Sequence, residues 1–463
     1  MALAVPASLA GSSSKPAPRE NEIKLGRADG LQSEASKGAA YRRRPNILLI
    51  VTDDQRASGL EHMPATKRYF QAGGVNFRNA YATTPLCCPA RASIFSGQYM
   101  HNHKVFKNQQ SVRFDQEHSL ERYLNDGGYF TGIIGKFLNG GRWVRRPPNY
   151  FDRFIISKRF PYYDGVWNDN GVSKEIARYS TSYMGSEAVE FLSKGENRDP
   201  RPWFLVLGTT APHAPYTPQD KYADAKISPW YGNPAVGEKD KSDKPPYVRR
   251  KPQRLALGRS TRQQQIRTLM SLDDMVRRIF LKLRSANETR RTLAVYISDN
   301  GFLWGEHGLV NKTVPYTMSI RVPMFMRWPR KLDPGTTDYR ISTNVDLAPT
   351  LLDAAGLRGR VSRPMDGHSL LRTGGRSTLL TEYREYKWST PTWASIRTRK
   401  FQYIEYFKRG TLIFREFYRL TKDPWQLRNL LKDDDRNDPN RRFVARLHDK
   451  LNRLRSCRAG RCP

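Results

Sequence analysis

Four apolar runs along the chain have the composition of strands that are buried on both faces of a sheet. They cover Asn46–Thr52, Tyr129–Ile134, Trp203–Leu207 and Leu293–Ile297. Between the third and fourth runs, apolar residues recur at helical spacing over 262–284, which predicts a long amphipathic helix. Strands that alternate with helices indicate an α/β fold with a large, mostly parallel sheet.

The pattern changes after Gly356, where alternating aromatic and polar residues over 393–407 predict an antiparallel hairpin. Apolar residues between Phe443 and Leu454 predict a final amphipathic helix. The chain therefore divides into a leader, a large α/β domain with a basic, Pro-rich surface insertion, and a smaller α+β subdomain with antiparallel strands and a terminal helix. The predicted bounds are 1–44 for the leader, 45–357 for the α/β domain with its insertion at 231–262, and 358–463 for the subdomain.

The leader begins with a short apolar stretch and continues with Ser, Gly and charged residues. Its first residues include a small-x-small triplet, Ser8–Ala10, as found at the end of a secretory signal, although they lack a basic start. A disordered leader explains the same composition, so both interpretations stay open.

Basic residues outnumber acidic ones by 79 to 44, which gives a formal net charge of +35. This charge favours anionic partners such as nucleic acid, acidic polysaccharide, or sulfate and phosphate esters, but a solvated surface without a binding role explains it equally well. With 23 Tyr, 20 Phe and 9 Trp, the chain is not a fully disordered basic protein. No apolar run approaches the roughly 20 residues of a membrane-spanning helix, so no membrane span is predicted.

The chain has four cysteines, too few for a disulfide scaffold. Cys457 and Cys462 lie at the C-terminus and are expected to form a local disulfide, which would indicate an oxidising compartment. Two free thiols are the alternative. Cys87 and Cys88 are adjacent, and adjacent cysteines pair poorly.

Polar side chains follow each of the four predicted strands. The first strand is followed by Asp53 and Asp54, the second by Lys136, the third by His213, and the fourth by Asp299–Asn300. Because ligands bind beyond the carboxyl ends of strands in open α/β sheets, we expect these side chains to meet at one edge. Carboxylate and amide oxygens suit Ca²⁺ or Mg²⁺, and a divalent ion beside Lys and His is typical of a site for a tetrahedral oxyanion ester.

Each of these motifs alone is a weak signal, since an Asp-Asp pair is often only a helix cap or part of a turn. The chain contains a second such pair, Asp273–Asp274, inside the predicted amphipathic helix. That pair is expected on the solvated face of the helix.

The segment Pro85–Gly97 is the most informative part of the sequence. Pro89 suits the first turn of a helix and Gly97 its C-terminal end. Cys87 is therefore expected just before a helix N-terminus, where the helix dipole favours anions. Arg91 lies about one turn along the helix, and its guanidinium can pair with oxyanions.

The spacing Cys87-x-Pro89-x-Arg91, followed by Ser96–Gly97, resembles the signature of the type I sulfatases. Further motifs are similar to those of the family and follow in the family's order. They are Gly128–Thr131 with Gly135–Lys136, Pro212–Pro215, Ser298–Gly301, Gly305–Gly308, Lys312, Arg321–Pro323, Trp393–Thr398 and Asp423–Leu430.

Three details are similar to the branch of the N-acetylglucosamine-6-sulfatases and extracellular heparan sulfatases. They are the doubled Cys87–Cys88, the segment His101–His103, and Gly135–Asn139. Two positions depart from the family pattern: Leu138 stands where many sulfatases have His, and Thr317 where an acidic residue is common. The first departure leaves the usual imidazole base to another residue, for which His101 and His103 are candidates.

The resemblance implies an alkaline-phosphatase-like fold and a cysteine that a maturation enzyme oxidises to formylglycine. The implied metal ligands, around Ca²⁺ or alternatively Mg²⁺, are Asp53, Asp54, Cys87, Asp299 and Asn300. The implied catalytic residues are Cys87, Arg91, Lys136, His213 and Lys312. One hydroxyl of the formylglycine hydrate would attack sulfur, and the second would allow sulfate to leave. Arg91 would stabilise the hydrate, Lys136, His213 and Lys312 would bind the sulfate, and His213 would donate the proton.

We therefore expect a secreted or otherwise exported sulfuric ester hydrolase that acts on a sulfated sugar, a glycosaminoglycan or an aryl sulfate. One alternative is a phosphonate or phosphate ester hydrolase on the same scaffold. The other is a basic nucleic-acid-binding protein, but the sequence carries no aromatic-basic nucleic-acid motif, so no specific nucleic acid partner is expected.

Overall fold

The parts of the chain that the computed structural model describes are 44–140, 146–198, 201–385, 390–432 and 439–463. Apart from Arg44, the predicted leader 1–44 lies outside the described residues.

Ten strands of the described chain form one large sheet. Their bounds are β1 Asn46–Thr52, β2 Val75–Tyr81, β3 Phe130–Gly135, β4 Arg153–Ser157, β5 Gly165–Asp169, β6 Val172–Ile176, β7 Trp203–Gly208, β8 Thr292–Ser298, β9 Met324–Arg327 and β10 Thr336–Thr343. The strand order is β10-β2-β9-β8-β1-β7-β3-β4-β5-β6. The central strands β8, β1, β7, β3 and β4 are parallel, and β9, β5 and β6 pair antiparallel with their neighbours.

The four predicted apolar runs correspond to β1, β3, β7 and β8. In β1, Ile47, Leu49 and Val51 lie in the core on one face of the sheet, and Leu48 and Ile50 lie in the core on the other. Successive side chains of a strand point to opposite faces, so a strand covered on both sides carries an uninterrupted apolar run. The predicted α/β class with a mostly parallel sheet is confirmed.

Helices cover both faces of the large sheet. Their bounds are α1 Pro64–Thr66, α2 Cys87–Ser96, α3 Met100–His103, α4 Leu120–Asp126, α5 Ser180–Arg198, α6 Pro246–Arg249, α7 Leu255–Ser285, α8 Thr317–Ile320, α9 Leu347–Ala354 and α10 Arg441–Leu454. The apolar sides of α5 and α7 pack on the face that contains Leu48. The helices α2, α4 and α9 pack on the opposite face.

The expectation for Asp273 is wrong, because this side chain is buried rather than solvated. Its carboxylate accepts hydrogen bonds from the backbone N–H groups of Ala65, at 2.8 Å, and Thr66, at 2.7 Å. The first N–H groups of a helix have no partner within the helix, so Asp273 caps α1 from a distant part of the chain. Asp274 is more exposed and accepts a hydrogen bond from the Tyr222 hydroxyl at 2.7 Å.

The Pro-rich segment 231–262 is more integrated than its composition indicates. Helix α7 begins at Leu255, so the end of the segment is helical. Val248 lies in an apolar core, and Lys244 is fully buried with its ammonium 2.8 Å from the carboxylate of Asp243. The bounds of the insertion and of the domains remain predictions.

A second, four-stranded sheet lies in the C-terminal region, as predicted. Its strands are β11 Leu379–Tyr383, β12 Thr392–Arg397, β13 Gln402–Lys408 and β14 Thr411–Tyr418, and they pair antiparallel in that order. Helix α10 buries Leu447, Leu451 and Leu454 in the adjoining core. The predicted disulfide joins Cys457 to Cys462.

Within the described residues, no helix combines the length and the apolar composition that crossing a membrane requires.

Candidate active site

The carboxyl ends of β8, β1, β7 and β3 are neighbours in the sheet, and a polar segment follows each of them. Asp53 and Asp54 follow β1, Asp299–Asn300 follows β8, and Lys136 follows β3. One oxygen from each of Asp53, Asp54 and Asp299 lies within 4.8 Å of the others. Parallel pairing therefore brings together groups that are far apart in the sequence.

The acidic cluster has the oxygen ligands that a hard divalent cation requires. Asp53, Asp54, Asp299 and Asn300 are all buried. The Asn300 Nδ2 donates to Asp54 Oδ1 at 2.7 Å, but its buried Oδ1 accepts no hydrogen bond from the described residues. Three carboxylates and an amide oxygen that accepts no hydrogen bond fit calcium or magnesium, because both ions prefer oxygen ligands.

Each carboxylate of the cluster is also paired with a buried cation. Lys136 contacts Asp53, Lys312 contacts Asp54, and Arg91 Nε lies 2.8 Å from Asp299 Oδ2. Although burial alone would raise it, the nearby cations, Lys136 foremost, hold the pKa of Asp53 below its ordinary value. Burial and the charge of Asp53 raise the pKa of Asp299.

Two glycines allow the ends of β3 and β7 to approach closely. The N–H of Lys136 donates to the carbonyl of Gly208 at 2.6 Å. Gly135 has φ +104°, and a Cβ at that position would lie 2.1 Å from the same Gly208 carbonyl. Arg91 Nη1 then donates to the Lys136 carbonyl at 2.8 Å. The guanidinium thus fixes the backbone of Lys136 as well as the carboxylate of Asp299.

Cys87 lies at the first position of α2, and its side chain faces the charged cluster. Its Sγ is 2.8 Å from Lys312 Nζ and 3.3 Å from Asp53 Oδ1. Cys88, by contrast, lies in the apolar core beneath the sheet. Burial raises the pKa of the Cys88 thiol to about 12, so this thiol stays protonated and inert.

His213 borders the same cluster on the solvent side. Its Nε2 lies 3.8 Å from Asp54 Oδ2, and its side chain is 37% exposed. Nδ1 lies 2.7 Å from the carbonyl of Ala214, which orients the ring. Burial would lower its pKa, but the carboxylates of Asp53 and Asp54 raise the pKa of His213 to about 9.

The other two candidate imidazoles make different contacts. His101 Nδ1 lies 2.8 Å from Glu382, and its Nε2 lies 2.9 Å from the Cys457 carbonyl. His103 is buried against Ser93, at 3.1 Å, and its Nδ1 accepts the N–H of Val105. Both histidines therefore stabilise the segment after α2, and neither contacts the acidic cluster.

The two positions that depart from the family pattern are both structural. Leu138 is buried in the apolar core. Thr317 binds another side chain of the protein, because its N–H and its hydroxyl both donate to Gln426 Oε1 at 2.8 Å.

Two aromatic residues that carry no sequence signal also border the cluster. The ring of Phe160 lies over Lys136, with 5.0 Å from Nζ to the ring centre. Tyr216 follows His213 closely, and its N–H donates to the His213 carbonyl at 3.3 Å. Both residues lie outside the regular strands and helices, where periodicity does not indicate which way a side chain points.

Solved structures share this fold. The structure of a protein in complex with its substrate D-glucosamine-2-N,6-O-disulfate matches with a TM-score of 0.76 and 23% identity, over 89% of this chain and 96% of that one. The phosphonate monoester hydrolase of Agrobacterium radiobacter matches with a TM-score of 0.66 and 19% identity, over 89% and 95%.

Sequence relatives include sulfatases of animals. The extracellular sulfatase SULF-1 homolog of Drosophila melanogaster is 34% identical over 72% of this chain and 31% of its own length. The N-acetylglucosamine-6-sulfatase of Homo sapiens is 29% identical over 92% of this chain and 87% of its own length. The chain spans only 48% of a further relative, the putative extracellular sulfatase Sulf-1 homolog of Caenorhabditis elegans.

Two family descriptions match the chain directly. The one named N-sulphoglucosamine sulphohydrolase, C-terminal, matches residues 305–457. The one named Sulfatase matches residues 45–357, which is most of the chain and includes the acidic cluster, Cys87 and both lysines. The chain therefore belongs to the sulfatase family.

Proposed function

We propose that the chain hydrolyses the sulfate ester of a sulfated sugar, with Cys87 in its oxidised form as the nucleophile. The observation that carries the proposal is the position of the Cys87 Sγ, 2.8 Å from Lys312 Nζ and 3.3 Å from Asp53 Oδ1. A nucleophile at this point lies between a cation that can bind an oxyanion and a carboxylate that can bind a metal.

The sulfatase family generally depends on formylglycine and a metal, and the acidic cluster fits such a metal. We propose that Asp53, Asp54, Asp299 and Asn300 hold calcium, with the side chain at position 87 as a further contact. A bound divalent cation supplies Lewis-acid polarisation of an ester oxygen.

Formylglycine at position 87 would require oxidation by a maturation enzyme, which we propose as a partner of the newly made chain. The hydrate of the aldehyde supplies a hydroxyl nucleophile and a second hydroxyl, through which the enzyme can be regenerated. Arg91 is suited to a contact with such a group, because its buried Nη2 has no hydrogen-bond partner among the described residues.

The remaining side chains of the cluster bind and orient the ester. Lys136 and Lys312 are buried, and their ammonium groups can donate to sulfate oxygens from two sides. Although burial would lower it, the carboxylate of Asp54 and the other anionic groups hold the pKa of Lys312 well above its ordinary value, so the ammonium stays charged. Such fixed donors stabilise charge that develops in the transition state.

His213 is proposed to donate the proton to the leaving oxygen. Its Nε2 lies 3.8 Å from Asp54 Oδ2, at the edge of the proposed metal site, where a protonated ring can reach the leaving oxygen. Its Nδ1 is engaged by the Ala214 carbonyl, so Nε2 is the atom that can meet the ester. The partial exposure of the ring leaves room for the alcohol to depart.

A sulfated sugar is the favoured substrate class. A structural neighbour was solved with D-glucosamine-2-N,6-O-disulfate, and several relatives are named N-acetylglucosamine-6-sulfatase. A phosphonate ester is the second candidate, because the fold is shared with a phosphonate monoester hydrolase. Parallel assays of one aryl leaving group as its sulfate and phosphonate esters separate the two, and faster phosphonate hydrolysis would favour the second candidate.

We also propose that the protein is exported and that 45–357 forms the catalytic domain. The Cys457–Cys462 disulfide supports an oxidising compartment, and two relatives are named extracellular sulfatases. Fractionation of the native host, followed by immunoblotting, tests the location.

The two adjacent cysteines provide a matched pair for testing the proposal. Cys87→Ala is expected to lower sulfate release from glucosamine 6-sulfate by about 10⁴-fold or more, as removal of a nucleophile does in other hydrolases. Cys88→Ala shortens the adjacent side chain, which lies in the apolar core, and is expected to retain turnover within about threefold. Equal turnover by the Cys87→Ala variant and the unaltered protein would refute the proposed nucleophile.

A further inference from the structure

The connection between β4 and β5 reaches over the cationic side of the candidate site. Within this connection, Phe160 places its ring 5.0 Å from Lys136 Nζ. The backbone of Phe160 has φ +57°, a conformation that phenylalanine rarely adopts. Its N–H donates to the Ser157 hydroxyl at 3.0 Å, which holds this turn in place. The ring is half-buried, so part of it faces solvent.

The same connection also fixes His213. The hydroxyl of Tyr162, two residues after Phe160, donates to the His213 carbonyl at 2.7 Å. Tyr162 is buried and packs against Tyr179, with 5.7 Å between ring centres. One short turn thus contacts both Lys136 and His213, the two groups proposed to bind the sulfate and to protonate the leaving oxygen.

A second aromatic residue, Tyr216, lies beside His213, to whose carbonyl its N–H donates at 3.3 Å. Tyr216 has φ +61° and packs edge-on against Phe302, with 6.4 Å between ring centres. Phe302 follows the Asp299–Asn300 pair by two residues, so this ring contact brings the Tyr216 side chain near the acidic cluster. Among the described residues, no hydrogen bond of the Tyr216 hydroxyl is found, and the residue is half-buried.

Two half-buried aromatic rings beside the charged cluster can supply an apolar surface for a substrate. The cations and carboxylates of the cluster bind sulfate and metal, but they offer no surface for the carbon skeleton of a substrate. A pyranose ring has apolar C–H faces, and an aromatic side chain can cover such a face at a low cost in conformational entropy. Rings are not needed to bind a bare sulfate ion.

We propose that Phe160 and Tyr216 form an aromatic clamp that holds the sugar ring of the substrate and so selects pyranose sulfates over other sulfate esters. The inference rests on the proposed function, since it assigns a substrate-binding role beside the same nucleophile. The clamp acts on the sugar and leaves the binding of the sulfate group to Lys136, Lys312 and His213.

The test compares a sugar ligand with inorganic sulfate. Phe160→Asn and Tyr216→Asn remove the rings, and asparagine tolerates a positive φ, so the backbone need not rearrange. Each is expected to raise the KM for glucosamine 6-sulfate by about five- to tenfold, as the loss of an aromatic contact does. The inhibition constant of inorganic sulfate should change by less than about twofold. Phe160→Tyr retains the ring, so its KM for glucosamine 6-sulfate should match that of the unaltered protein.

Tyr163→Leu is the matched control within the same turn. Tyr163 packs on Tyr179 and donates its hydroxyl to Asp220 at 2.9 Å, so its loss loosens the turn without removing a ring from the site. This variant should leave unchanged the ratio of the KM for glucosamine 6-sulfate to the inhibition constant of inorganic sulfate. Equal weakening of sugar and sulfate in Phe160→Asn, or the same loss of selectivity in Tyr163→Leu, would mean that the ring only supports the turn and would overturn the inference.

Calorimetric binding in a Cys87→Ala background separates this inference from the proposed function. If glucosamine 6-sulfate binds there and the ring variants weaken it, the clamp stands whatever the rate of hydrolysis. If the unaltered protein hydrolyses sulfate esters but the ring variants bind the sugar normally, the clamp fails and the proposed function stands.

Discussion

Substitution of Gly208 by alanine tests whether the close contact between β3 and β7 sets the position of Lys136. Gly208 ends β7, and its φ lies outside the positive region, so the effect of a methyl group there is steric alone. The added Cβ would lie 1.9 Å from the Lys136 carbonyl oxygen and 3.0 Å from Arg91 Nη1. Favourable contacts begin at about 3.5 Å, so the backbone of Lys136 must move by about 1.5 Å.

The expected cost follows from the contacts that this movement breaks. Overpacking in a tight interior costs about 1–3 kcal/mol, and the hydrogen bond from Lys136 N–H to the Gly208 carbonyl contributes about 1 kcal/mol. We therefore expect Gly208→Ala to lower the free energy of unfolding by about 2–4 kcal/mol. A shift of about 1.5 Å at Lys136 should also lower kcat/KM by about 10²-fold or more, because catalysis depends on the placement of the donor.

The assays are urea unfolding followed by fluorescence and sulfate release from glucosamine 6-sulfate. Gly359→Ala is the matched control, because a Cβ at Gly359 meets no atom within 4 Å and that glycine lies far from the nucleophile in the sequence. The control should change neither stability nor turnover appreciably. If Gly208→Ala retained both the stability and the turnover of the unaltered protein, the glycine contact would not position Lys136.

Three other predictions concern stability, pH and the substrate. Asp273→Ala should lower the free energy of unfolding by about 1–2 kcal/mol, because two N–H groups of α1 lose their acceptor, whereas Asp274→Ala should change it by less than about 0.5 kcal/mol in the same urea titration; equal effects would contradict the capping role. Burial raises the pKa of Glu121 from its ordinary value of 4.5 to about 8. Between these values the folded protein keeps a proton that the unfolded chain has lost, so the free energy of unfolding should fall by up to about 1.4 kcal/mol per pH unit as pH rises from about 4.5 to 8. Glu121→Gln should make unfolding less dependent on pH in that window, and an unchanged slope would refute the assignment. Turnover of long sulfated chains should weaken steeply as salt rises, because exposed charges are screened over about 10 Å at 0.1 M, while turnover of a small aryl sulfate should change much less. Neutralisation of four basic residues in the insertion should raise the KM for the sulfated polymer alone. An equal effect on both substrates would mean that these residues do not bind the polymer. Those residues are Arg249, Arg250, Lys251 and Arg254.

The sequence indicates the strand-end groups well because apolar runs mark the ends of buried strands. Once β1 and β8 are placed side by side, Asp53 and Asp299 must share an edge. Lys136 follows by the same reasoning from β3. The order of the strands in the sheet, however, depends on long-range pairing, which no local pattern contains.

Other features of the site depend on contacts between distant segments. The carboxylate of Asp273 meets the N–H of Ala65 from 208 residues away, so the local helical pattern indicates only a solvated face. The need for Gly208 appears only when β3 and β7 pair in register. Phe160 lies in a turn without periodicity, and its contact with Lys136 follows from the path of the backbone between β4 and β5.

The mass of the peptide that contains Cys87, measured on active protein from the native host, tests the proposed mechanism most directly. Replacement of the sulfur by oxygen with loss of two hydrogens is expected at position 87, while Cys88 remains a thiol. Across preparations, the rate of sulfate release should rise in proportion to the converted fraction. Full activity in a preparation whose Cys87 is entirely unmodified would contradict the account.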